Sequence, residues 1–167
     1  MKRILIIGSP GSGKSTCSKI LSKILNYPIL HLDRIFHIDN YNQISREELK
    51  VKIKQFIDQN ENYIIDGNYT GTLELRTESA DTIIYFDIEP KICLKNILDR
   101  IKKNKSRDDI APGFDNSIID PEFIEYVKKF NVNVQPRIEN ILNKYTVEII
   151  RIKNYKELED FYNSFKK

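Results

Sequence analysis

The segment at residues 8–15 reads Gly-Ser-Pro-Gly-Ser-Gly-Lys-Ser and matches the phosphate-binding loop G-x-x-x-x-G-K-[ST] without a gap. An apolar run at residues 3–7 precedes the loop and is typical of a strand buried on both faces. Residues 15–25 follow with apolar side chains at helical spacing. A loop between a strand and a helix can turn its backbone N–H groups toward an anion at the positive helix terminus. The opening of the chain therefore predicts an α/β fold with a nucleoside triphosphate site.

Each residue of this loop has an expected role in binding a nucleotide. Its glycines allow backbone angles that a Cβ atom would forbid. We expect Lys14 to reach the β- and γ-phosphates, Ser15 to ligate Mg²⁺ and Thr16 to support the α-phosphate side. The alternative interpretation is a Gly/Ser turn that merely opens a helix. We predict ATP and Mg²⁺ as cofactors, and the expected nucleotide-binding residues are Gly8, Ser9, Pro10, Gly11, Ser12, Gly13, Lys14, Ser15 and Thr16.

Length and composition favour a single domain over residues 1–167. The chain has 167 residues, of which 40% are hydrophobic, enough for one sizeable core. Its 27 basic and 24 acidic residues give a net charge of +3, so we do not expect direct DNA binding. No apolar segment is long enough to span a bilayer, and Cys17 and Cys93 lack the spacing of a metal or redox pair. We expect a cytoplasmic protein without a membrane partner, and the sequence favours no particular oligomeric state.

Strand-like runs alternate with helical patterns along the rest of the chain. Four runs predict further strands, at residues 28–32, 63–65, 82–86 and 146–150. Helical patterns cover residues 45–59, 91–103 and 155–165. Ser45 with Glu48 forms a capping box, and Asp120 before Pro121 opens one more helix. The alternation predicts a five-stranded parallel sheet with helices on both faces.

Two connections are longer than a simple crossover needs. Residues 34–62 are expected to form an excursion on the acceptor side of the site, and residues 104–133 a lid. Within the second, residues 106–113 have the polar, Pro- and Gly-containing composition of a mobile lid segment. Such excursions at the carboxyl edge of a sheet indicate an enzyme more than a scaffold.

Acidic residues follow three of the predicted strands. Asp33 comes after the second strand and is expected to orient an acceptor hydroxyl or to hold Mg²⁺ through water; the alternative is a helix N-cap. Asp66 ends the third strand and is our candidate for the carboxylate that holds the water shell of Mg²⁺. Asp87 matches the same pattern after the fourth strand, so the choice between the two stays open. We expect His31 to be a hydrogen-bonded core histidine rather than a catalytic one.

Phosphoryl transfer develops negative charge that a protein stabilises with cations. The candidate arginines in or beside loops at the predicted catalytic edge are Arg76, Arg100, Arg107 and Arg137. We favour Arg107 and Arg137 because a lid needs cations to close on a phosphate. With Lys14 and Asp33 they form the expected catalytic set, and Arg76 is an expected contact of the acceptor.

Together these motifs resemble the DNA topology modulation protein family. The resemblance runs over most of the chain and rests on residues 8–16, 31–33, 64–69, 81–87, 107–113 and 136–137. It implies an adenylate-kinase-like P-loop fold, ATP binding and a kinase activity. Carried over by position, Arg107 and Arg137 would clamp phosphates, and the acceptor pocket would be lined by Asp33, Asp66, Gly67, Asn68 and Tyr69.

Three functions are compatible with the sequence. We prefer an ATP-dependent kinase that moves the γ-phosphoryl group to a small acceptor, such as a nucleoside monophosphate. The alternatives are a nucleotide-dependent regulator that affects DNA topology, for which the basic run at residues 102–105 would supply weak DNA binding, and a kinase of a non-nucleotide hydroxyl acceptor. Adenylate kinases proper place an arginine shortly after their Asp-Gly corner, whereas this chain has none between Gly67 and Arg76.

Overall fold

The computed structural model describes residues 1–103, 107–115, 117–118 and 120–166. Its centre is a five-stranded sheet in which all neighbouring strands are parallel, in the order β2-β3-β1-β4-β5. The strands are β1 (Arg3–Gly8), β2 (Ile29–His31), β3 (Tyr63–Asp66), β4 (Thr82–Phe86) and β5 (Glu148–Ile152). The predicted five-stranded parallel sheet is therefore confirmed. The last strand begins and ends two residues later than expected, because its pairing with β4 runs from Glu148 to Ile152.

Helices connect and follow the strands. They are α1 (Lys14–Leu25), α2 (Leu32–Phe36), α3 (Arg46–Gln59), α4 (Leu73–Ser79), α5 (Pro90–Lys102), α6 (Pro121–Lys128), α7 (Phe130–Asn133), α8 (Gln135–Leu142) and α9 (Tyr155–Asn163). The predicted caps are present: the Ser45 hydroxyl accepts a hydrogen bond from the Glu48 amide at 3.1 Å, and the Asp120 carboxylate accepts one from the Glu122 amide at 2.9 Å. Each cap satisfies an amide that the first helical turn leaves without a partner.

The sheet is buried on both faces, which explains the continuous apolar runs of its central strands. Alternate residues of β1 enter opposite layers, with Leu5 and Ile7 on one face and Ile4 and Ile6 on the other. Core residues of α3, α4, α7 and α8 cover the first face, and those of α1, α5, α6 and α9 cover the second. Burial in the second layer raises the pKa of the Cys17 thiol to about 12 and keeps it unreactive.

Parallel strands bring the loops that follow them to one edge of the sheet. Since β1 lies between β3 and β4, the loop after β1 is flanked by the segments that begin after Asp66 and Phe86. Residues 104–106, 116 and 119 of the predicted lid lie outside the described residues, as does part of the basic run at 102–105. Within the described chain, every helix is too short or too polar to cross a bilayer. That residues 1–167 form a single domain stays a prediction.

Candidate active site

Helix α5 supports the loop between β1 and α1 from outside. Gly11 has a φ of +77°, and a Cβ atom there would lie 2.3 Å from the carbonyl oxygen of Cys93, so the approach of loop to helix requires glycine. One turn further along, Nδ2 of Asn96 donates to the Gly11 carbonyl at 2.9 Å and to the Tyr155 hydroxyl at 2.6 Å. These contacts hold the backbone of the loop in a curved conformation.

Lys14 lies inside this curve. Its Nζ donates to the carbonyl oxygen of Ser9 at 2.7 Å, across the loop. Burial lowers the pKa of Lys14, and the nearby carboxylates of Asp66 and Asp33 oppose that shift. The structure therefore brings the predicted phosphate-binding lysine together with two of the predicted acidic residues.

Asp66 lies beside the start of α1 and is 5% exposed. Its Oδ2 shares a hydrogen bond of 2.9 Å with Nδ1 of His31 and accepts a longer one, of 3.5 Å, from the Ser18 hydroxyl. Its Oδ1 is buried and has no hydrogen-bond partner among the described residues. A buried carboxylate oxygen without a partner is unusual and fits a cation or its hydration shell.

Asp87 faces a different environment. Its Oδ1 accepts a hydrogen bond from Nε2 of Gln135 on α8 at 3.1 Å, and it lines a cavity of about 250 Å³ together with Lys153 and Phe130. The Asp66 carboxylate, in contrast, favours the charged form of Lys14 and opposes the lowering of its pKa by burial. The geometry thus favours Asp66 as the carboxylate beside the loop.

Asp33 and Tyr69, both predicted to line the acceptor pocket, are joined by a hydrogen bond. The Tyr69 hydroxyl donates to Oδ1 of Asp33 at 2.8 Å, and the Tyr69 ring packs edge-on against Phe36 with centroids 4.8 Å apart. Asp33 does not follow β2 directly, as the sequence suggested, but lies in the first turn of α2. The N-cap of α2 is His31, so the capping interpretation of Asp33 is wrong.

The corner at residues 66–69 contacts both the phosphate loop and α2. Gly67 has a φ of +142°, and a Cβ atom there would lie 2.8 Å from Cβ of Leu32. Oδ1 of Asn68 accepts a hydrogen bond from the Gly8 amide at 3.4 Å. The corner thus lies close enough to the loop for one small molecule to touch both.

Arg76 supports this corner from within the protein. It is 0% exposed, and its guanidinium donates to the carbonyl oxygens of Gly67 and Tyr69, each at 2.9 Å, and to Thr72. Burial lowers its pKa to about 9, with Asp66 and Tyr69 opposing the shift, so the group stays charged at neutral pH. The expected contact between Arg76 and the acceptor is not what the structure presents, because these donors face backbone carbonyls.

Arg107 and Asp109 form a two-point ion pair in the region predicted to be a lid. Nε of Arg107 lies 3.1 Å from Oδ1 of Asp109, and its Nη2 lies 2.5 Å from Oδ2. Burial alone would raise the pKa of Asp109, but the hydrogen bond and charge of Arg107 hold it well below its usual range, and the Ser15 hydroxyl adds to this effect. This pair therefore brings one cation and one anion to the start of α1.

Further contacts hold residues 107–115 of the predicted lid region against α1 and against the predicted acceptor-side excursion at residues 34–62. Lys19 of α1 binds the Asp108 carboxylate, and Nη1 of Arg34 donates to the Asp108 carbonyl at 2.8 Å. The side-chain amide of Asn40 pairs with the backbone of Asp115 through hydrogen bonds of 2.9 and 2.6 Å. The two long excursions thus touch each other.

The structure places Arg100 near Arg107, where the sequence had favoured Arg137. Arg137 is exposed on the first turn of α8, and no side-chain hydrogen bond or ion pair joins it to the described residues, so its phosphate contact stays a prediction. Arg100 is the residue that lies near Arg107. Burial lowers the pKa of Arg100, Arg107 lowers it further, and its Nε is buried without a hydrogen-bond partner in the described chain. Its position three residues after the buried Ile97 was the signal that it shares the inner face of α5.

The site could hold Mg²⁺ with only a few protein ligands. No group of three or more His, Cys, Asp or Glu residues in the described chain could hold a metal ion alone. Mg²⁺ usually keeps several waters and takes one or two protein ligands together with substrate phosphates. The Ser15 hydroxyl and the unpartnered Oδ1 of Asp66 match that requirement.

Comparisons with known proteins agree with this geometry. The chain is 28% identical over 174 residues to a shikimate kinase of Clostridium botulinum (strain Loch Maree / Type A3), covering 94% of this chain and 98% of the relative. It is 26% identical over 193 residues to an adenylate kinase of Rickettsia africae (strain ESF-5), covering 96% and 87%. A solved deoxyadenosine kinase from M. mycoides superposes with a TM-score of 0.56 at 17% identity, covering 98% of each chain, which shows a common fold. No family model matches the chain.

These relatives are P-loop kinases, and their similarity extends over nearly the whole chain. The comparisons do not show the narrower resemblance to the DNA topology modulation family. They support an ATP-dependent phosphotransferase of the P-loop kinase type, with ATP and Mg²⁺ as cofactors and a small molecule as acceptor.

Proposed function

We propose that this protein transfers the γ-phosphoryl group of ATP to a small acceptor bound between the corner at residues 66–69 and Asp33. The observation that carries the proposal is the position of Lys14, which lies in the loop beside Asp66 and Asp33. Cations and acids that converge on one loop of this type are what phosphoryl transfer requires.

The proposed roles follow from position. The loop residues 8–16 bind the phosphates of ATP, and Lys14 and Arg107 stabilise the charge that develops during transfer. Ser15 and Asp66 hold Mg²⁺, which, when bound, neutralises the phosphate oxygens. Arg100 adds a cation near Arg107, and a contact between the exposed Arg137 and a phosphate stays a prediction.

Membership of the DNA topology modulation family is a narrower part of the same proposal. The corner at residues 66–69 and the lid segment at residues 107–113 support it, because these motifs are more specific than the phosphate loop. An effect on DNA would then be indirect, since the net charge of +3 is small for a DNA-binding protein.

The experiment that tests the proposal compares two lysines of α1. ADP release is followed with ATP, Mg²⁺ and a panel of small alcohols and nucleoside monophosphates. Lys14→Ala should lower acceptor-stimulated turnover by about 10²- to 10³-fold, because it removes a preorganised cation. Lys23→Ala removes an exposed charge from the same helix and should leave turnover unchanged. Equal turnover in the two variants would contradict the proposal.

A further inference from the structure

The carboxylate of Asp109 is a buried anion bound by two cations. Asp109 is 4% exposed. Nε of Arg107 donates to its Oδ1 at 3.1 Å, and Nη2 of Arg107 donates to its Oδ2 at 2.5 Å. Nζ of Lys19 lies 3.8 Å from the same Oδ1. A buried charge is tolerated when it is paired in this way, so Asp109 engages both cations at once.

This anion lies beside the first turns of α1. Lys19 comes four residues after Ser15 on that helix, so the two side chains lie on the same face. The hydroxyl of Ser15 also donates to the Asp109 carboxylate and helps to keep its pKa low. The charge of Arg107 in turn lowers the pKa of Lys14. Asp109 and Arg107 therefore lie next to the two loop residues to which we assign phosphate and Mg²⁺ binding.

A carboxylate and a phosphate make the same demand on an arginine. The planar guanidinium binds two oxygens of either group through a pair of parallel N–H donors. Asp109 engages Nε and Nη2 of Arg107 in this way, so a phosphate that takes these donors must displace the carboxylate. A triphosphate on the loop would also place negative charge near Asp109, and like charges within about 4–6 Å disfavour each other.

The neighbouring Asp108 anchors the same segment by other means. Its carboxylate is 75% exposed and binds Lys19, and its backbone carbonyl accepts a hydrogen bond from Nη1 of Arg34 at 2.8 Å. These contacts do not involve the side chain of Asp109. The segment can therefore stay attached to α1 and α2 while the Asp109 carboxylate leaves Arg107.

We propose that Asp109 is an internal competitor of ATP: its carboxylate holds Arg107 and must release the guanidinium before that group can bind a phosphate. This inference rests on the proposed function and adds an autoinhibitory contact to the same site. The apparent affinity for ATP is then reduced by the fraction of molecules in which the pair is broken. Removing the carboxylate raises that fraction, so it should strengthen nucleotide binding.

Calorimetry of the full chain with Mg²⁺ and a non-hydrolysable ATP analogue tests this competition. Asp109→Asn keeps the shape of the side chain but removes its charge, and it should bind the analogue at least about tenfold more tightly than the natural protein. Asp108→Asn removes the adjacent, exposed charge and should change the affinity by less than about twofold. Adenosine, which has no phosphate, should bind the natural protein and Asp109→Asn equally. Thermal melting verifies that both variants fold.

A crystal structure of the natural protein with Mg²⁺ and the analogue completes the test without any variant. The guanidinium of Arg107 should contact a phosphate oxygen, and the Asp109 carboxylate should lie more than about 4 Å from it. An intact pair beside the bound analogue would overturn the inference, as would equal or weaker binding by folded Asp109→Asn. If the analogue bound neither the natural protein nor the variants, the proposed function itself would fail, and this inference with it.

Discussion

Nδ1 of His31 and Oδ2 of Asp66 lie 2.9 Å apart, at positions that face each other in the register of β2 and β3. Because neighbouring parallel strands end together, this pair forms at the edge where the phosphate loop begins. The hydrogen bond engages one carboxylate oxygen of Asp66 and leaves Oδ1 without a partner among the described residues. The contact with β2 thus fixes the orientation of Asp66 and leaves one buried carboxylate oxygen unpaired within the described chain.

Replacing the Asp66 carboxylate should raise the Mg²⁺ concentration that the reaction requires. Asp66→Asn keeps the shape of the side chain but removes its charge, and we expect the Mg²⁺ concentration for half-maximal ADP release to rise by about 10- to 100-fold. Asp87→Asn makes the same change after β4, beside Gln135, and should leave the requirement unchanged. Titrating ADP release with Mg²⁺ measures both, and a larger effect for Asp87→Asn would assign the role to that residue.

The buried arginine should matter for stability. Arg76→Ala leaves the carbonyl oxygens of Gly67 and Tyr69 without donors in the interior, so we expect the free energy of unfolding to fall by about 2–4 kcal/mol. Arg137→Ala removes the same side chain from an exposed position and should change it by less than about 0.5 kcal/mol. Urea unfolding gives both values. Similar losses in the two variants would mean that Arg76 does not support the corner.

Replacement by alanine should lower stability more at Gly67 than at Gly71, the two glycines near the corner. Gly67→Ala places a Cβ 2.8 Å from Leu32 at a φ of +142°, so we expect it to lower stability by about 1–3 kcal/mol. Gly71→Ala serves as the control, because its Cβ would meet only the flexible side chain of Arg46, at 3.2 Å. Thermal melting of the two variants compares them. A melting temperature for Gly67→Ala at or above that of Gly71→Ala would contradict the strain.

The ion pair between Arg107 and Asp109 should make the free energy of unfolding depend on pH in the acidic range. The folded-state pKa of Asp109 lies below its ordinary value because Arg107 stabilises the carboxylate. Its contribution is therefore fully present above the unfolded pKa of about 3.9 and is lost as the pH falls toward the folded pKa. Between pH 7 and pH 3, the natural protein should lose more unfolding free energy in urea than Asp109→Asn does. An equal loss would show that the pair does not stabilise the folded state.

Local features of the chain were predictable because neighbouring residues create them. The fourth strand has the predicted bounds, 82–86, since its apolar run is short and ends at an acidic residue. Ser45 caps α3 because its acceptor and the Glu48 amide are three residues apart. The choice between Asp66 and Asp87 could not be made in this way, because both follow apolar strands and both strands pair with β1.

The sequence by itself determined the phosphate loop, the parallel sheet around it and the kind of chemistry that such an edge supports, because periodicity, glycines and caps act over a few residues. Only the tertiary structure decided which charged groups meet. Arg76 turns into the protein, Arg100 rather than Arg137 joins Arg107, and Asp33 lies in the first turn of a helix. These outcomes depend on packing between segments far apart in the chain, where the burial of a charge and the supply of its partners are decided together.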